Sequence, residues 1–306
     1  MRRILSALLI CLLLSGCARI PKTAAPSPAP AAAPFISVWD TQAGALIHMD
    51  IESYVAGVVA GEMPSDWPLE ALKAQAILAR TFVLKFITEK ESRYPGADIS
   101  TDIAEAQAYN ADAVNARILT ATAQTRGLIL LDSGGALPYA WFHAHSGGKT
   151  ALACESLDWQ GAEPSHTRTA EGLDSPKAPA SARAWSAAFT EAEFLSACRD
   201  AGYHPQSCRE LHIAETGPSG RAVIITVDGV PMNAARLRIS LGSTRMRSTL
   251  LTSLHVSDGM ILMEGLGYGH GVGMPQWGAY ALAEAGRSGE EIALHYYNGL
   301  HLYRAW

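Results

Sequence analysis

Three segments of the chain carry residue types that can do chemistry. Glu62 stands in Gly61-Glu62-Met63-Pro64, where a helical pattern stops. Apolar neighbours there disfavour an ionised carboxyl and raise its pKa toward the range of a general acid. Taken locally, such a glutamate is more often a solvated helix end, so its role depends on what the fold sets beside it. Gly265 to Met274 has glycine at every other position. In an extended chain that leaves one face bare for a flat polymer, with Leu266, Tyr268, His270, Val272 and Met274 on the other. The third segment places His143 and His145 at a strand end before Ser146-Gly147-Gly148-Lys149-Thr150. Two imidazoles with the thiolate of Cys154 form a donor set that zinc accepts. On a continuing strand, however, His143 and His145 face opposite sides, and a metal site is not favoured. Gly148-Lys149-Thr150 is no phosphate loop, because His143 occupies the place of its first glycine.

The elements that must position these residues are legible in part. Residues 35–50 alternate around a turn at Gln42-Ala43-Gly44, as a hairpin does. Apolar spacing predicts a helix over 51–63, interrupted at Pro64-Ser65-Asp66. A second helix follows Trp67-Pro68 and runs to about Glu89, with Leu72, Ala76, Ala79, Val83 and Phe86 on one face and Ser65 and Asp66 as candidate caps. Helices over 111–125, 191–201 and 234–241, strands over 127–131 and 137–143, and a hairpin of 222–227 with 230–232 complete an α+β pattern. Residues 159–184, rich in Pro, Ser, Ala and Gly, read as an irregular insertion.

The chain has 306 residues, 48% of them hydrophobic, and a formal net charge of −5. That suffices for a large core and gives no general basic field, so nucleic acid is excluded as a first partner. Arg2 and Arg3 followed by the apolar run from Ile4 to Leu14 form an export signal too short to span a membrane as a mature helix. It ends in Leu14-Ser15-Gly16-Cys17, which resembles the lipobox of bacterial lipoproteins, with Cys17 as the lipidated residue. The expected organisation is a signal over 1–17, a Pro/Ala-rich tether over 18–35, and one mixed domain over 36–306, exported and anchored by lipid to a membrane of the cell envelope. Three cysteines then remain in an oxidising compartment. Cys198 and Cys208 bracket a short polar loop and are expected to pair as a disulfide, leaving Cys154 as a free thiol or a ligand.

Together these segments resemble the SpoIID/LytB family, named for the stage II sporulation protein D and the amidase enhancer. The matching pieces are Tyr54-Val55-Ala56-Gly57-Val58-Val59-Ala60-Gly61-Glu62-Met63-Pro64, then Trp67-Pro68-Leu69-Glu70-Ala71-Leu72-Lys73-Ala74-Gln75-Ala76 with Ala79-Arg80-Thr81. Phe142-His143 with Ser146-Gly147-Gly148-Lys149-Thr150, then Gly269-His270-Gly271-Val272-Gly273-Met274, Gln276-Trp277-Gly278-Ala279 and His295-Tyr296-Tyr297, follow in the same order. The resemblance implies an endolytic lytic transglycosylase acting on peptidoglycan glycan strands, including strands stripped of stem peptides, with Glu62 as acid and base. It further implies substrate-binding roles for Arg80, His143, Ser146, Lys149, Thr150, His270 and Gln276. No cofactor is expected. Some members bind a structural zinc, but Ser146 stands where others have cysteine, which puts a metal in doubt here. Residues 163–184 also depart from the family's usual form. The competing reading is a non-catalytic glycan-binding enhancer, with a cell-wall amidase as partner.

Overall fold

Asp50 ends one element and starts the next. In the computed structural model, which describes residues 32–306, β1 (Phe35–Asp40) and β2 (Ala45–Asp50) form the expected hairpin. Asp50 then caps α1 (Ile51–Glu62), accepting from the backbone N–H groups of Glu52 and Ser53 that a helix start leaves unpaired. The helix stops at Glu62 because Pro64 disfavours helical geometry at the residue before it, and Met63 is extended at φ −132° and ψ 141°. In α2 (Leu69–Glu89) the stripe Leu72, Ala76, Ala79, Val83 and Phe86 is buried. Neither Ser65 nor Asp66 caps α2. Pro68 holds the cap position without a side-chain bond, where its missing N–H leaves no donor to satisfy.

β3 (Ile99–Ser100) extends β1 in parallel. The helix expected over 111–125 is divided, with one 3₁₀ turn at Ala111–Ala113 and then α3 (Ala116–Gln124). Asn115 divides it by accepting from the N–H groups of Arg117 and Ile118 and so starting a new helix. β4 (Leu128–Leu131) appears as expected, but of residues 137–143 only β5 (Phe142–His143) is strand. Pro138 lacks a ladder donor, and the first bond of the pairing with the later chain runs from the Met274 N–H to the Trp141 carbonyl at 3.1 Å.

After α4 (Ala153–Ser156) the insertion is irregular up to α5 (Ala180–Arg183). A second apolar core follows, built by β6 (Ala184–Thr190), α6 (Glu191–Asp200), β7 (Leu211–Thr216), β8 (Ala222–Val227), β9 (Val230–Asn233), α7 (Ala234–Ser240), β10 (Leu251–Ser257) and β11 (Met260–Leu266). Its two sheets, β10-β11-β6 and β7-β8-β9, are antiparallel. The chain then returns through β12 (Met274–Pro275), α8 (Gln276–Glu284), α9 (Gly289–His295) and β13 (His301–Arg304) to the first core. There Met274, Ala279, Ile292 and Tyr296 pack with α1 and α2, and β13 pairs with β4. The fold class is α+β.

The expected disulfide is not formed. Cys198 and Cys208 are free thiols buried in the second core, where each packs as a small apolar side chain. Burial pushes Cys198 up to about 12 and Cys208 up to about 11. The signal, Cys17 and nearly all of the tether lie outside the described residues. Among the described residues no helix is long and apolar enough to cross a membrane.

Candidate active site

Glu62 is held by three stretches distant in sequence. Its helix brings it to the edge of a cleft of about 380 Å³. The segment 106–110 crosses α1 so closely that a Cβ on Gly61 would lie 2.7 Å from the Ala108 backbone, and one on Gly57 2.2 Å from the Tyr109 ring. Glycine at these two places lets the Ala108 N–H reach the Glu62 Oε1 at 2.8 Å. Opposite, Gln276 at the start of α8 donates from Nε2 to Oε2 at 3.1 Å. The Trp67, Trp277 and Tyr280 rings, with centroids 4.5 to 5.2 Å apart, clamp α8 onto the turn after α1 and fix that approach.

Burial raises the Glu62 carboxyl above its ordinary value, outweighing the two donors, which pull it down. The folded protein therefore keeps the proton at pH values where the unfolded chain has released it. Stability contributed by this group falls as pH rises from the unfolded value of 4.5 through the raised one. Glu62→Gln removes that loss, so its thermal midpoint should exceed the wild type's near neutral pH and the gap should close below about pH 4. Equal midpoints at both pH values in calorimetry would contradict a strained, buried carboxyl.

The far wall comes from β5 and the glycine segment, joined by the parallel pairs Met274–Phe142 and Pro275–His143. The glycines are not an extended strand with a bare face. Gly267, Gly269, Gly271 and Gly273 all have positive φ, between 71° and 109°, which favours glycine. Added Cβ atoms would lie 2.7 Å from the His143 Cβ at Gly269, 2.4 Å from the Arg221 guanidinium at Gly271 and 2.0 Å from the Trp141 carbonyl oxygen at Gly273. They are spent on close packing against residues 141–147 and Arg221.

His143 and His270 both line the cleft, their rings 5.6 Å apart. The His143 Nδ1 lies 3.1 Å from the Val272 carbonyl oxygen, which can only accept, so Nδ1 carries the proton and Nε2 is a lone pair. That Nε2 is buried with no partner. In His270 the assignment is reversed, since Nδ1 accepts from the Val272 N–H at 3.1 Å. Burial, reinforced for His143 by His270 and Arg221 and for His270 by Arg238 and Arg221, holds both rings neutral, His143 well below its usual range and His270 near about 3.

The structure thus brings together Glu62, His143, His270 and Gln276, and places the other expected residues elsewhere. Arg80 is 0% exposed and pairs with Glu52, Nη2 to Oε2 at 2.6 Å and Nε to Oε1 at 3.1 Å. Ser146 is fully buried and donates to Asp174, locking the turn it sits in. Thr150 is likewise buried, donating to the Arg168 carbonyl at 2.9 Å. Lys149 is exposed outside the cleft lining, its carbonyl accepting from Arg221. Nor do the candidate zinc donors converge. His145 lies 3.6 Å from Asp174, while the Cys154 Sγ lies 3.6 Å from the Gly161 carbonyl oxygen. Among the described residues no group of three or more His, Cys, Asp or Glu is placed to hold a metal. The sequence reading missed the Ala108 N–H, which no side-chain pattern signals, and Arg238 on α7.

A family model described as SpoIID, stage II sporulation protein, matches residues 40–131, from the end of β1 to the end of β4. An uncharacterized protein of Brachyspira hyodysenteriae is 31% identical over 261 residues, covering 83% of this chain and 67% of that protein. The chain belongs to the SpoIID/LytB family. Stage II sporulation protein D of Bacillus subtilis is 28% identical over 286 residues, 88% of this chain and 79% of its own. The amidase enhancer of Bacillus subtilis is 25% identical over 290 residues, 80% of this chain but 40% of that longer protein. In this SpoIID/LytB member the stretch matched by the family model contains Glu62, Ala108 and the Glu52–Arg80 pair. His143, Arg238, His270 and Gln276 lie beyond it.

Proposed function

We propose that the protein is a peptidoglycan lytic transglycosylase that cleaves glycan strands, including strands without stem peptides, and leaves a 1,6-anhydro end. One observation carries the reading. Glu62 is the only carboxylate among the described residues lining the cleft, and its burial favours the protonated form. Most glycosidases set a second carboxylate opposite the first to act on water or on the sugar. A single acid suffices when the nucleophile is the sugar's own C6 hydroxyl. Glu62 gives its proton to the glycosidic oxygen as the C1–O bond breaks. The C6 oxygen then bonds to C1 and returns its proton to the Glu62 carboxylate, so the enzyme is regenerated without water. Neutral His143, with its free Nε2 lone pair, suits acceptance of a sugar hydroxyl or acetamido N–H.

The similarity to a protein named amidase enhancer favours a second reading, a glycan-binding partner of an amidase. The two divide on release. Purified protein incubated with stripped sacculi should liberate anhydro-ended fragments, whereas binding without release would leave the enhancer reading. Residues 1–17 support export and lipid anchoring at Cys17. Cys17→Ala should accordingly move the protein from the membrane fraction to the soluble one, and an unchanged distribution on fractionation would reject the anchor.

A further inference from the structure

Arg238 is a buried cation that the proposed reaction does not use. It sits in the last turn of α7, 8% exposed, and lines both the Glu62 cleft and an adjoining cavity of about 490 Å³. Its Nε donates to the Arg247 carbonyl at 3.1 Å. Among the described residues no carboxylate pairs with it, and its two Nη groups make no hydrogen bond. This sets it apart from the other buried arginines. Arg80 is paired with Glu52, and Arg221 spends both Nη groups on the carbonyls of Lys149 and Ser146 and the Ser219 hydroxyl. The planar fork of Arg238, left with donors that meet no protein acceptor where it lines the cleft, matches a carboxylate.

A second unpartnered group lines the same cleft, the buried Nε2 of His143. Glu62 is the one carboxylate among the described residues lining the cleft, and of the two aspartates of the adjoining cavity, Asp158 is paired with Arg236 at 2.8 Å and neither bonds Arg238.

We propose that Arg238 binds a carboxylate carried by the glycan strand, fixing which sugar lies at Glu62. This rests on the peptidoglycan reading and adds strand register to it. Only the muramyl sugar of the alternating strand bears such a group. It is the lactyl carboxylate where the stem peptide has been removed, or the first free carboxylate of the peptide where it has not. A bidentate contact to one sugar in two would place every second glycosidic bond, and not its neighbour, against the acid.

The test measures binding and not cleavage, so it stands or falls separately from catalysis. Binding of soluble strands is measured with Glu62→Gln and with Glu62→Gln/Arg238→Gln, using bare strands, bare strands with amidated lactyl groups, and peptide-bearing strands. Loss of the carboxylate or of Arg238 should each weaken binding roughly ten- to a hundredfold, and the two losses should not add. A penalty for amidation of bare strands assigns the lactyl group, while dependence on Arg238 confined to peptide-bearing strands assigns the peptide. Amidation needs no variant, so a misfolded Arg238→Gln leaves that arm intact, and Arg238→Lys serves as the milder substitution. Equal binding of bare, amidated and peptide-bearing strands, or an amidation penalty that persists without Arg238, overturns the proposal.

Discussion

Glu62→Gln is expected to lower the rate of glycan cleavage by roughly 10²- to 10⁴-fold while leaving strand affinity within about twofold. The substitution preserves shape. Its carbonyl still accepts from the Ala108 N–H, and the Gln276 amide can turn to pair with the new side chain, so the cleft keeps its form. What disappears is the proton. The loss should therefore fall on kcat and not on KM, as measured by fragment release against strand concentration. Because the same change relieves a buried carboxyl, lost activity should coincide with unimpaired folding, which separates a chemical role from a structural one. Retained cleavage would mean that another group supplies the proton. The histidines of the cleft are poorly suited, since burial keeps both neutral.

The largest effect on stability is expected from Arg80. Its guanidinium holds both oxygens of Glu52, whose Oε1 also accepts from the Gly127 N–H at 3.0 Å and the Trp306 Nε1 at 2.8 Å. A further bond runs from Nη1 to the Leu128 carbonyl at 2.9 Å. The pair thus fastens the start of α1 to α2, to the entry of β4 and to the C-terminal tryptophan. Arg80→Met would strand a carboxylate that is 12% exposed, at a cost of about 3 to 5 kcal/mol in urea unfolding. Adding Glu52→Gln should return part of that loss, because the double variant no longer buries an unpaired charge. A single variant as stable as the wild type would contradict the placement of Arg80. The consequence for function is indirect, since α1 carries Glu62 at its other end.

Glu62 and Arg80 also show where sequence stops being informative. The helix ending at Glu62 was legible because Pro64 and the apolar period act locally. Arg80 lies in a motif close to Glu62 in sequence, which suggests the same groove, yet it sits 18 residues along and faces the opposite end of α1. The glycine segment misled through geometry. Alternate glycines suit a strand by period alone, whereas the positive φ values that explain them depend on what packs above. Compartment and spacing suggest that Cys198 and Cys208 pair, but neither reports that both thiols face an apolar core. Arg238, two residues from exposed Arg236 on a short helix, has no local mark at all.

The central claim is that Glu62 works with an intramolecular nucleophile, and digestion of peptide-free glycan in ¹⁸O-labelled water tests it most directly. Mass spectrometry of the new ends should show anhydro-muramyl termini with no oxygen from solvent and one molecule of water fewer than a reducing end. One labelled oxygen at each cleaved bond would show that water is the nucleophile, and the account of a lone acid would be wrong.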